Sequence, residues 1–416
     1  MRARPRAAQM AVPVAVAAVA ERPSDRRLSL GLLLAVAWLL LPAAVQALVL
    51  PEDRADVLYH AYDGGGVKVD GPSVLVRKGY KEKVSAYANY YQDFVSSASI
   101  DVLTSGSKYA EERTEYSLGV DYLADRAMLS LGYTHSSESD YEAKTINFGI
   151  SQDFFGDMTT LAMGYSRGDD EVRQNQDGVS VPVGEAQKQR YSLGLSQILT
   201  KNWIIAFSAE TVVDDGFLRN PYRQIRLIPN PANPGVVRWE FERYPETRNS
   251  DAFALRTLYY LPHRASIRLE GRTFRDSWGI KAENYEIRYT HTVRSRLLME
   301  LKARTYSQTQ ADFFYDLFPE EIGTEGVFVA RDKELSTYSA NSFGMGFTYE
   351  FGYRLPFAKK HSLSFYWDFI QFDYDNFRNA LLSREEDGVP ARYAVGEEPS
   401  YSFEANVIRL FYTVNY

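Results

Sequence analysis

The chain has 416 residues, no cysteine and a formal net charge of −7. Without cysteine there is no disulfide, thiol nucleophile or thiolate metal site, and the mild acidity argues against an extended basic surface for nucleic acid. Mean hydropathy is −0.34, and no stretch approaches the roughly 20 apolar residues of a membrane-spanning helix, which argues against a helical membrane protein. Aromatic residues make up 14% of the chain, which suits a membrane–water boundary but also a tyrosine-rich soluble β protein.

The N-terminal segment, residues 1–47, has the order of a secretory signal. Arg26 and Arg27 precede an apolar run at residues 28–41, and small residues follow up to Ala47. The apolar run is too short for a membrane anchor. We therefore expect an N-terminal extension and signal peptide, export of the chain, and cleavage after Ala47.

The next segment, residues 48–79, contains turn signals. Three glycines follow Asp63, and the sequence Asp70-Gly71-Pro72 comes shortly after. Glycines of this kind allow the positive φ angles that tight turns require. We predict that this segment lies in the periplasm or folds into the barrel as a plug, and that residues 80–416 form the barrel itself.

From about residue 81 to the end, apolar and polar residues alternate with a period of two, which is typical of β-strands. Tyr116, Leu118 and Val120, for example, alternate with Ser117 and Gly119. The pattern predicts about fourteen strands, at residues 81–94, 114–123, 127–136, 143–154, 158–167, 187–199, 203–213, 249–261, 265–276, 281–292, 297–309, 336–352, 361–374 and 400–416.

The connections between the predicted strands differ in length at the two ends. Every second connection is tight, whereas the intervening ones are mostly long and polar, at residues 95–113, 168–186, 214–248, 310–335 and 375–399. A soluble β-sandwich also alternates, but short turns on one rim and long loops on the other are typical of bacterial outer-membrane barrels. The fold predicted is a closed antiparallel transmembrane β-barrel with short periplasmic turns and long extracellular loops.

The last strand ends on an aromatic residue. Apolar side chains occupy every second position before the terminus, at Ile408, Leu410, Tyr412, Val414 and Tyr416. This pattern resembles the C-terminal insertion signal of outer-membrane proteins, which makes the barrel-assembly machinery an expected partner, although an ordinary strand ending in Tyr looks the same. Because unpaired backbone groups cost several kcal/mol in hydrocarbon, the sheet must close. We expect Lys81–Phe94 to pair with Ser402–Tyr416.

Several stretches of the mature chain resemble one protein family. They are Pro51-Glu52-Asp53-Arg54, Tyr62-Asp63-Gly64-Gly65-Gly66, residues 70–78, residues 149–157 and Gly164-Tyr165-Ser166-Arg167-Gly168-Asp169-Asp170. The sequence is similar here to a proteobacterial family known only as a domain of unknown function, whose members are taken to be outer-membrane β-barrels. The resemblance implies the outer membrane of a Gram-negative bacterium. It implies no activity, substrate or catalytic residue.

Charged residues recur at alternate positions in the strands predicted between residues 249 and 309, with one more in the last strand. These are Arg256, Arg268, Glu270, Arg272, Glu286, Arg288, Glu300, Lys302, Arg304 and Arg409. An Arg or Lys facing lipid would cost roughly 2–4 kcal/mol at mid-membrane, so we predict that these residues line the lumen. Earlier strands are expected to present Gly, Ser, Ala and Asn inward.

Two interpretations of these charges stay open. Neighbouring strands place Arg opposite Glu, which favours a ladder that braces the interior. Alternatively, the six cations and three carboxylates of the four strands between residues 249 and 309 form a net positive wall, which would make the lumen mildly anion-preferring.

The function predicted from the architecture is a pore or channel for small solutes with a charged lumen, embedded in outer-membrane lipid. The alternative is a structural or docking barrel whose long loops, especially 214–248, bind a partner outside the cell. An outer-membrane hydrolase is less expected: His135 lies beside Ser136 and Asp140, but its alternation points it outward. No cofactor, metal site or nucleic-acid partner is indicated.

Overall fold

The computed structural model describes residues 49–97, 110–176, 179–228, 237–319, 327–352, 356–385 and 390–416. The predicted signal peptide, residues 1–47, lies outside this part of the chain. Within the described residues, sixteen strands close into one barrel, and two short strands form a separate small sheet. No helix among these residues is long and apolar enough to cross a membrane.

All neighbouring barrel strands pair antiparallel. In chain order they are β1 (Arg54–Gly64), β2 (Val67–Tyr80), β3 (Val84–Ser97), β4 (Ala110–Ala124), β5 (Ala127–Ser137), β6 (Tyr141–Phe154), β7 (Thr159–Gln176), β8 (Val179–Thr200), β9 (Trp203–Gly216), β12 (Thr247–Leu261), β13 (Ala265–Asp276), β14 (Lys281–Arg294), β15 (Leu297–Gln308), β16 (Tyr338–Glu350), β17 (Lys360–Arg378) and β18 (Ser400–Asn415). The small sheet consists of β10 (Gln224–Leu227) and β11 (Arg238–Phe241), and two 3-10 helices span Lys333–Leu335 and Ala380–Ser383.

The barrel closes where β1 pairs with β18, from Arg54 opposite Asn415 to Gly64 opposite Ala405. The prediction that Lys81–Phe94 pairs with the last strand is wrong. That segment corresponds to β3, which lies between β2 and β4. The structure thus has two more strands than the predicted count of about fourteen.

The two additional strands come from residues 48–79, which the sequence assigns to a periplasmic or plug-like segment. These residues instead supply β1 and nearly all of β2. The glycines after Asp63 form the hairpin turn between the two strands, where Gly65 and Gly66 have φ angles of 61° and 84°. Two consecutive positive φ angles are what a tight two-residue hairpin requires.

The outer face of the barrel is apolar. Large hydrophobic side chains point outward on nearly every strand, and Leu118, Leu255 and Ile287 are 58%, 54% and 48% exposed. Their neighbours along each strand point inward and are more buried. A closed sheet satisfies its backbone hydrogen bonds internally, and an apolar outer face suits contact with acyl chains. The predicted fold, a closed antiparallel transmembrane β-barrel, is confirmed.

The two rims differ as predicted, with one exception. The rim that holds both Arg54 and Asn415 carries the short turns and is the periplasmic one by the convention for such barrels. The opposite rim carries the long connections at residues 217–246, 309–337 and 379–399. The exception is the predicted loop 168–186, most of which extends β7 and β8 as one paired hairpin.

The three long connections fold together over the extracellular end, and we call their described residues the cap. Phe314 and Leu335 of the cap pack in one buried cluster with the inward-facing Ile370 and Ala405 of the barrel wall. Isolated backbone bridges also join the connections, for example between Leu227 and Phe318. The cap therefore fills part of the extracellular end of the lumen.

Candidate functional site in the barrel lumen

All ten residues predicted to line the lumen lie at inward positions of β13–β15, β12 and β18. Outward neighbours such as Leu269 and Ile287 are 46% and 48% exposed, whereas Arg288 and Lys302 are each 7% exposed. The strand period of two therefore separates an apolar outer face from a charged inner face, because successive side chains point to opposite sides of a sheet.

Six of these residues form a ladder of alternating sign, which we call the lower ladder. Its contacts are Arg256 Nε to Glu270 at 2.6 Å, Arg268 Nη2 to Glu286 at 2.6 Å, Arg288 Nη2 to Glu286 at 3.0 Å and Arg288 Nη1 to Glu300 at 3.0 Å. Three cations meet three carboxylates, so the lower ladder is balanced. Such distances are typical of charge-assisted hydrogen bonds.

A second group joins β15, β17 and β18. Asp368 accepts hydrogen bonds from Lys302 at 2.6 Å and from Arg409 at 2.7 Å. All three residues are less than a tenth exposed. Asp368 is not among the residues predicted from the sequence. Its position between Trp367 and Phe369, whose side chains point away from the lumen, nevertheless follows the same alternation as the other lumen residues.

The other cations of this part of the wall are Arg190, Arg272 and Arg304, which we call the arginine row. Glu210 lies between the first two, with Arg190 Nε at 3.7 Å and Arg272 Nη2 at 3.5 Å. Arg304 donates to the amide oxygen of Asn284, and no described carboxylate lies within ion-pair distance of it. Arg272 and Arg304 are among the residues predicted from the sequence, whereas Arg190 and Glu210 are not.

The arginine row can form because β12 presents small side chains at this height. Ala254 lies directly between Ser208 of β9 and Arg272 of β13 in the strand pairing. Ala252 is likewise the partner of Glu210. Arg272 therefore reaches across β12 to a carboxylate two strands away.

Part of the lumen wall faces free space. Ser192 and Ser208 point inward, because their neighbours Tyr191 and Phe207 are 48% and 40% exposed on the outer face, yet both serines are themselves exposed. A side chain that is inward and exposed in a closed barrel must face an open interior. These serines lie on β8 and β9, next to the arginine row.

The early strands are more charged inside than the sequence predicts. They carry three cations and five carboxylates at inward positions below the extracellular rim, namely Arg54, Arg77, Arg113, Asp56, Asp93, Glu115, Asp121 and Asp153. On the opposite wall, β8–β18 carry nine cations and six carboxylates below the cap, namely Arg190, Arg256, Arg268, Arg272, Arg288, Lys302, Arg304, Lys360, Arg409, Glu210, Glu270, Glu286, Glu300, Glu350 and Asp368. The early strands also present small residues such as Ser130, Asn147 and Gly149 inward, but the sequence did not predict the charged residues among them. The lumen has one acidic and one basic wall.

His60 is an inward residue of the acidic wall that the sequence did not predict, because the sequence assigns it to the segment ahead of the barrel. It lies on β1, is 4% exposed, and stacks on Tyr91 with ring centroids 4.9 Å apart. Its Nε2 lies 2.7 Å from Asp93, and Arg113 contacts the other oxygen of that carboxylate at 3.1 Å. The group is a closed, buried network between three strands.

The cap is held together by a buried ion cluster. Arg226, which is 1% exposed, donates to Asp316 at 2.8 Å and to Glu398, and Arg331 donates to Asp316 at 2.9 Å. These residues come from all three long connections. Burial raises the pKa of Glu398, but hydrogen bonds from Arg226 and Ser383 outweigh it and leave that pKa below its ordinary value.

Residues 103–191 and 171–376 of the sequence match a family described as protein of unknown function, DUF3570. The chain belongs to the DUF3570 family. This confirms the resemblance, and membership brings with it no established activity. No curated protein matches the sequence.

The barrel of this DUF3570 protein has distant likenesses among solved structures. A bacterial polysaccharide outer membrane secretin is 6% identical over 88% of this chain and 99% of its own, with a TM-score of 0.47. OccK1 (OpdK) of Pseudomonas aeruginosa is 9% identical over 88% and 100% of the two chains, with a TM-score of 0.40. A Pseudomonas aeruginosa FadL homologue is 10% identical over 87% and 89%, with a TM-score of 0.38. These likenesses carry no information on the function of this barrel.

The residues of the expected insertion signal lie along the end of β18. Ile408 and Leu410 are 39% and 41% exposed on the outer face. The hydroxyl of Tyr412 lies 3.0 Å from Nδ1 of His361, Val414 pairs with Ala55, and the Tyr416 hydroxyl donates to the backbone oxygen of Arg77 at 2.9 Å. Recognition by the assembly machinery stays a prediction.

The hydrolase arrangement considered around His135 is not brought together among the described residues. His135 is about a third exposed, and its Nε2 lies 3.2 Å from the carboxylate of Glu142. Tyr133, two residues earlier on the same strand face, is 41% exposed on the outer side. The geometry thus pairs His135 with a carboxylate outside the lumen.

Proposed function

We propose that this outer-membrane barrel passes small polar solutes through its lumen. The observation that carries the proposal is the exposure of Ser192 and Ser208 on the inner face, because it requires free space inside a closed wall. The acidic and basic walls line that space with ionised groups, which interact with polar solutes and not with lipid-soluble ones.

The cap is the narrow part of the proposed path. Its ion cluster around Arg226 and its packing against Ile370 and Ala405 occupy the extracellular end. Solute passage would therefore depend on how tightly the three connections are held. The periplasmic turns are short and leave the other end of the barrel less covered.

A swelling assay tests the proposal. Liposomes that contain the purified protein are placed in an isotonic solution of a small sugar, and light scattering follows their swelling. We expect swelling with the native protein and faster swelling with Arg226→Leu, which loosens the cap. No swelling with either protein, while both remain folded, would contradict solute passage.

The docking role for the 214–248 loop stays a prediction. The described part of this loop gives it little support, because Ile225, Arg226 and Leu227 are at most 1% exposed. A partner outside the cell would have to bind residues other than these.

A further inference from the structure

The arginine row differs from the other charged groups of the basic wall in its balance of charge. The lower ladder pairs three cations with three carboxylates, and Lys302 and Arg409 share the buried Asp368. In the arginine row, Arg190 and Arg272 flank a single carboxylate, Glu210, and Arg304 lies on the same wall with an amide oxygen as its partner. These three arginines and Glu210 account for two of the three surplus positive charges of this wall.

Two members of the arginine row, Arg190 and Arg272, are also more exposed than the charged side chains of the lower ladder. The side chains of Arg190 and Arg272 are 36% and 39% exposed, whereas that of Arg288 in the lower ladder is 8% exposed. The neighbouring Ser192 and Ser208 face the open interior. A solute in the lumen can thus reach Arg190 and Arg272 more readily than Arg288.

The contacts of Glu210 give the chemistry of the site. Its carboxylate sits between two guanidinium groups at 3.5 and 3.7 Å, which is longer than the 2.6–3.0 Å contacts of the lower ladder. Guanidinium groups bind carboxylate and phosphate oxygens through paired N–H donors at about 2.7–2.9 Å. The space between Arg190 and Arg272 therefore suits an oxyanion, and Glu210 lies farther from both arginines than the carboxylates of the lower ladder lie from theirs.

We propose that the arginine row is a binding site for a small oxyanion, the carboxylate or phosphate group of a solute in the lumen. Arg190 and Arg272 hold the oxyanion, and Arg304 adds a third positive charge from β15. Glu210 acts as an internal competitor that lowers the affinity and lets the solute leave. This inference rests on the proposed passage of solutes, since it names the class of solute that the lumen favours.

Calorimetric titration of the protein in detergent tests the site without any flux. The probes are benzoate, inorganic phosphate and chloride, each titrated into the native protein and three variants. Arg272→Gln should weaken oxyanion binding about tenfold, which is the loss expected when one charge-assisted hydrogen-bond partner is removed. Arg275→Gln is the matched control, because this arginine lies on the same strand but is 71% exposed and outside the row.

Glu210→Gln separates binding from a structural role. If Glu210 competes with the solute, its neutralisation should tighten benzoate or phosphate binding severalfold. If Glu210 only braces the wall, the variant should bind no better than the native protein and unfold at a lower temperature. Tighter binding supports the site, and the second pattern overturns it.

The probes also identify the ligand class. Binding of benzoate alone indicates a carboxylate site, and binding of both oxyanions but not chloride indicates a general oxyanion site. Equal binding to native protein and Arg272→Gln would overturn the proposal. Because the titration needs no transport, oxyanion binding without liposome swelling would contradict solute passage alone, and swelling without binding would contradict this site alone.

Discussion

Arg268 and Arg288 stand directly opposite each other in the pairing of β13 with β14, and both donate to the same oxygen of Glu286. Two like charges at opposed positions destabilise a sheet unless a counter-charge lies between them. Glu286 supplies that charge from the position next to Arg288 on the inner face. This part of the lower ladder is thus stabilised diagonally, whereas Arg256 pairs with Glu270 directly across the strands.

Glu286→Gln should therefore destabilise the barrel. The carboxylate is largely buried, and its loss leaves two guanidinium groups facing each other, which we expect to cost on the order of 3 kcal/mol. The temperature at which the folded band converts to the unfolded one in semi-native electrophoresis measures the effect. Glu283→Gln, an exposed outward position on the same strand, is the control, and an equal loss in both variants would argue against the diagonal arrangement.

Gly71→Ala should impair folding if β1 and β2 belong to the barrel wall. A Cβ at this position would overlap the backbone oxygen of Gln92 on β3, and backbone atoms cannot move aside without separating the strands. Gly194→Ala is the control, because its added Cβ would meet its nearest neighbour at 3.7 Å. The yield of folded, detergent-refolded barrel is the measurement. A periplasmic segment would tolerate both substitutions equally.

Removing the guanidinium of Arg226 should open the cap. The change leaves Asp316 and Glu398 as buried carboxylates without their shared cation, which costs several kcal/mol and releases the connections that carry them. Arg226→Leu should raise the conductance of the protein in planar bilayers. Arg238→Leu, an exposed arginine of the same small sheet, should leave it unchanged. If the two variants conduct alike, the cap does not limit passage.

Acidification should loosen the cap in the same way. The pKa of Glu398 is lowered in the folded protein, because the hydrogen bonds from Arg226 and Ser383 exceed the effect of burial. A lowered carboxyl pKa contributes stability above its unfolded value, near pH 4.3, and that stability is lost as the pH falls through the folded value. Protease cleavage of the cap should thus increase below about pH 4 and stay constant near neutrality. Glu398→Gln should be cleaved readily at neutral pH, and its resistance there would refute this role.

The role of the Tyr416 ring as an insertion signal can be tested separately from the hydrogen bond that its hydroxyl forms. The Tyr416 hydroxyl donates to Arg77, so Tyr416→Phe removes the hydrogen bond and keeps the ring. We expect Tyr416→Phe to assemble normally in cells and Tyr416→Ala to accumulate unassembled. Equal assembly of both would indicate that β18 needs no terminal aromatic residue.

Alternation in the sequence was sufficient to predict the fold and the inner face, because the two-residue period of a strand is visible locally. It failed at β2, where Gly71 and Pro72 indicate a turn. The structure accommodates them because the pairing with β3 passes directly from Asp70 to Ser73. Glycine and proline within a strand are compatible with such an interruption.

Which charges meet could not be predicted, because alternation gives the face but not the register. The sequence indicates Arg opposite Glu, which holds for Arg256 and Glu270. Arg268 instead faces Arg288, and both donate to Glu286. The fold of the cap could not be predicted from the sequence either. Arg226 and Glu398 are 172 residues apart, and their contact depends on how two irregular connections fold over the barrel.

The water-filled lumen can be tested most directly with single cysteines, because the chain has none of its own. Ser208→Cys and Phe207→Cys place adjacent thiols on the inner and outer faces of β9. With the protein in liposomes, a charged, membrane-impermeant maleimide should label Ser208→Cys and spare Phe207→Cys. The reverse pattern, or protection of both thiols, would contradict a water-filled lumen bounded by the inner face of β9.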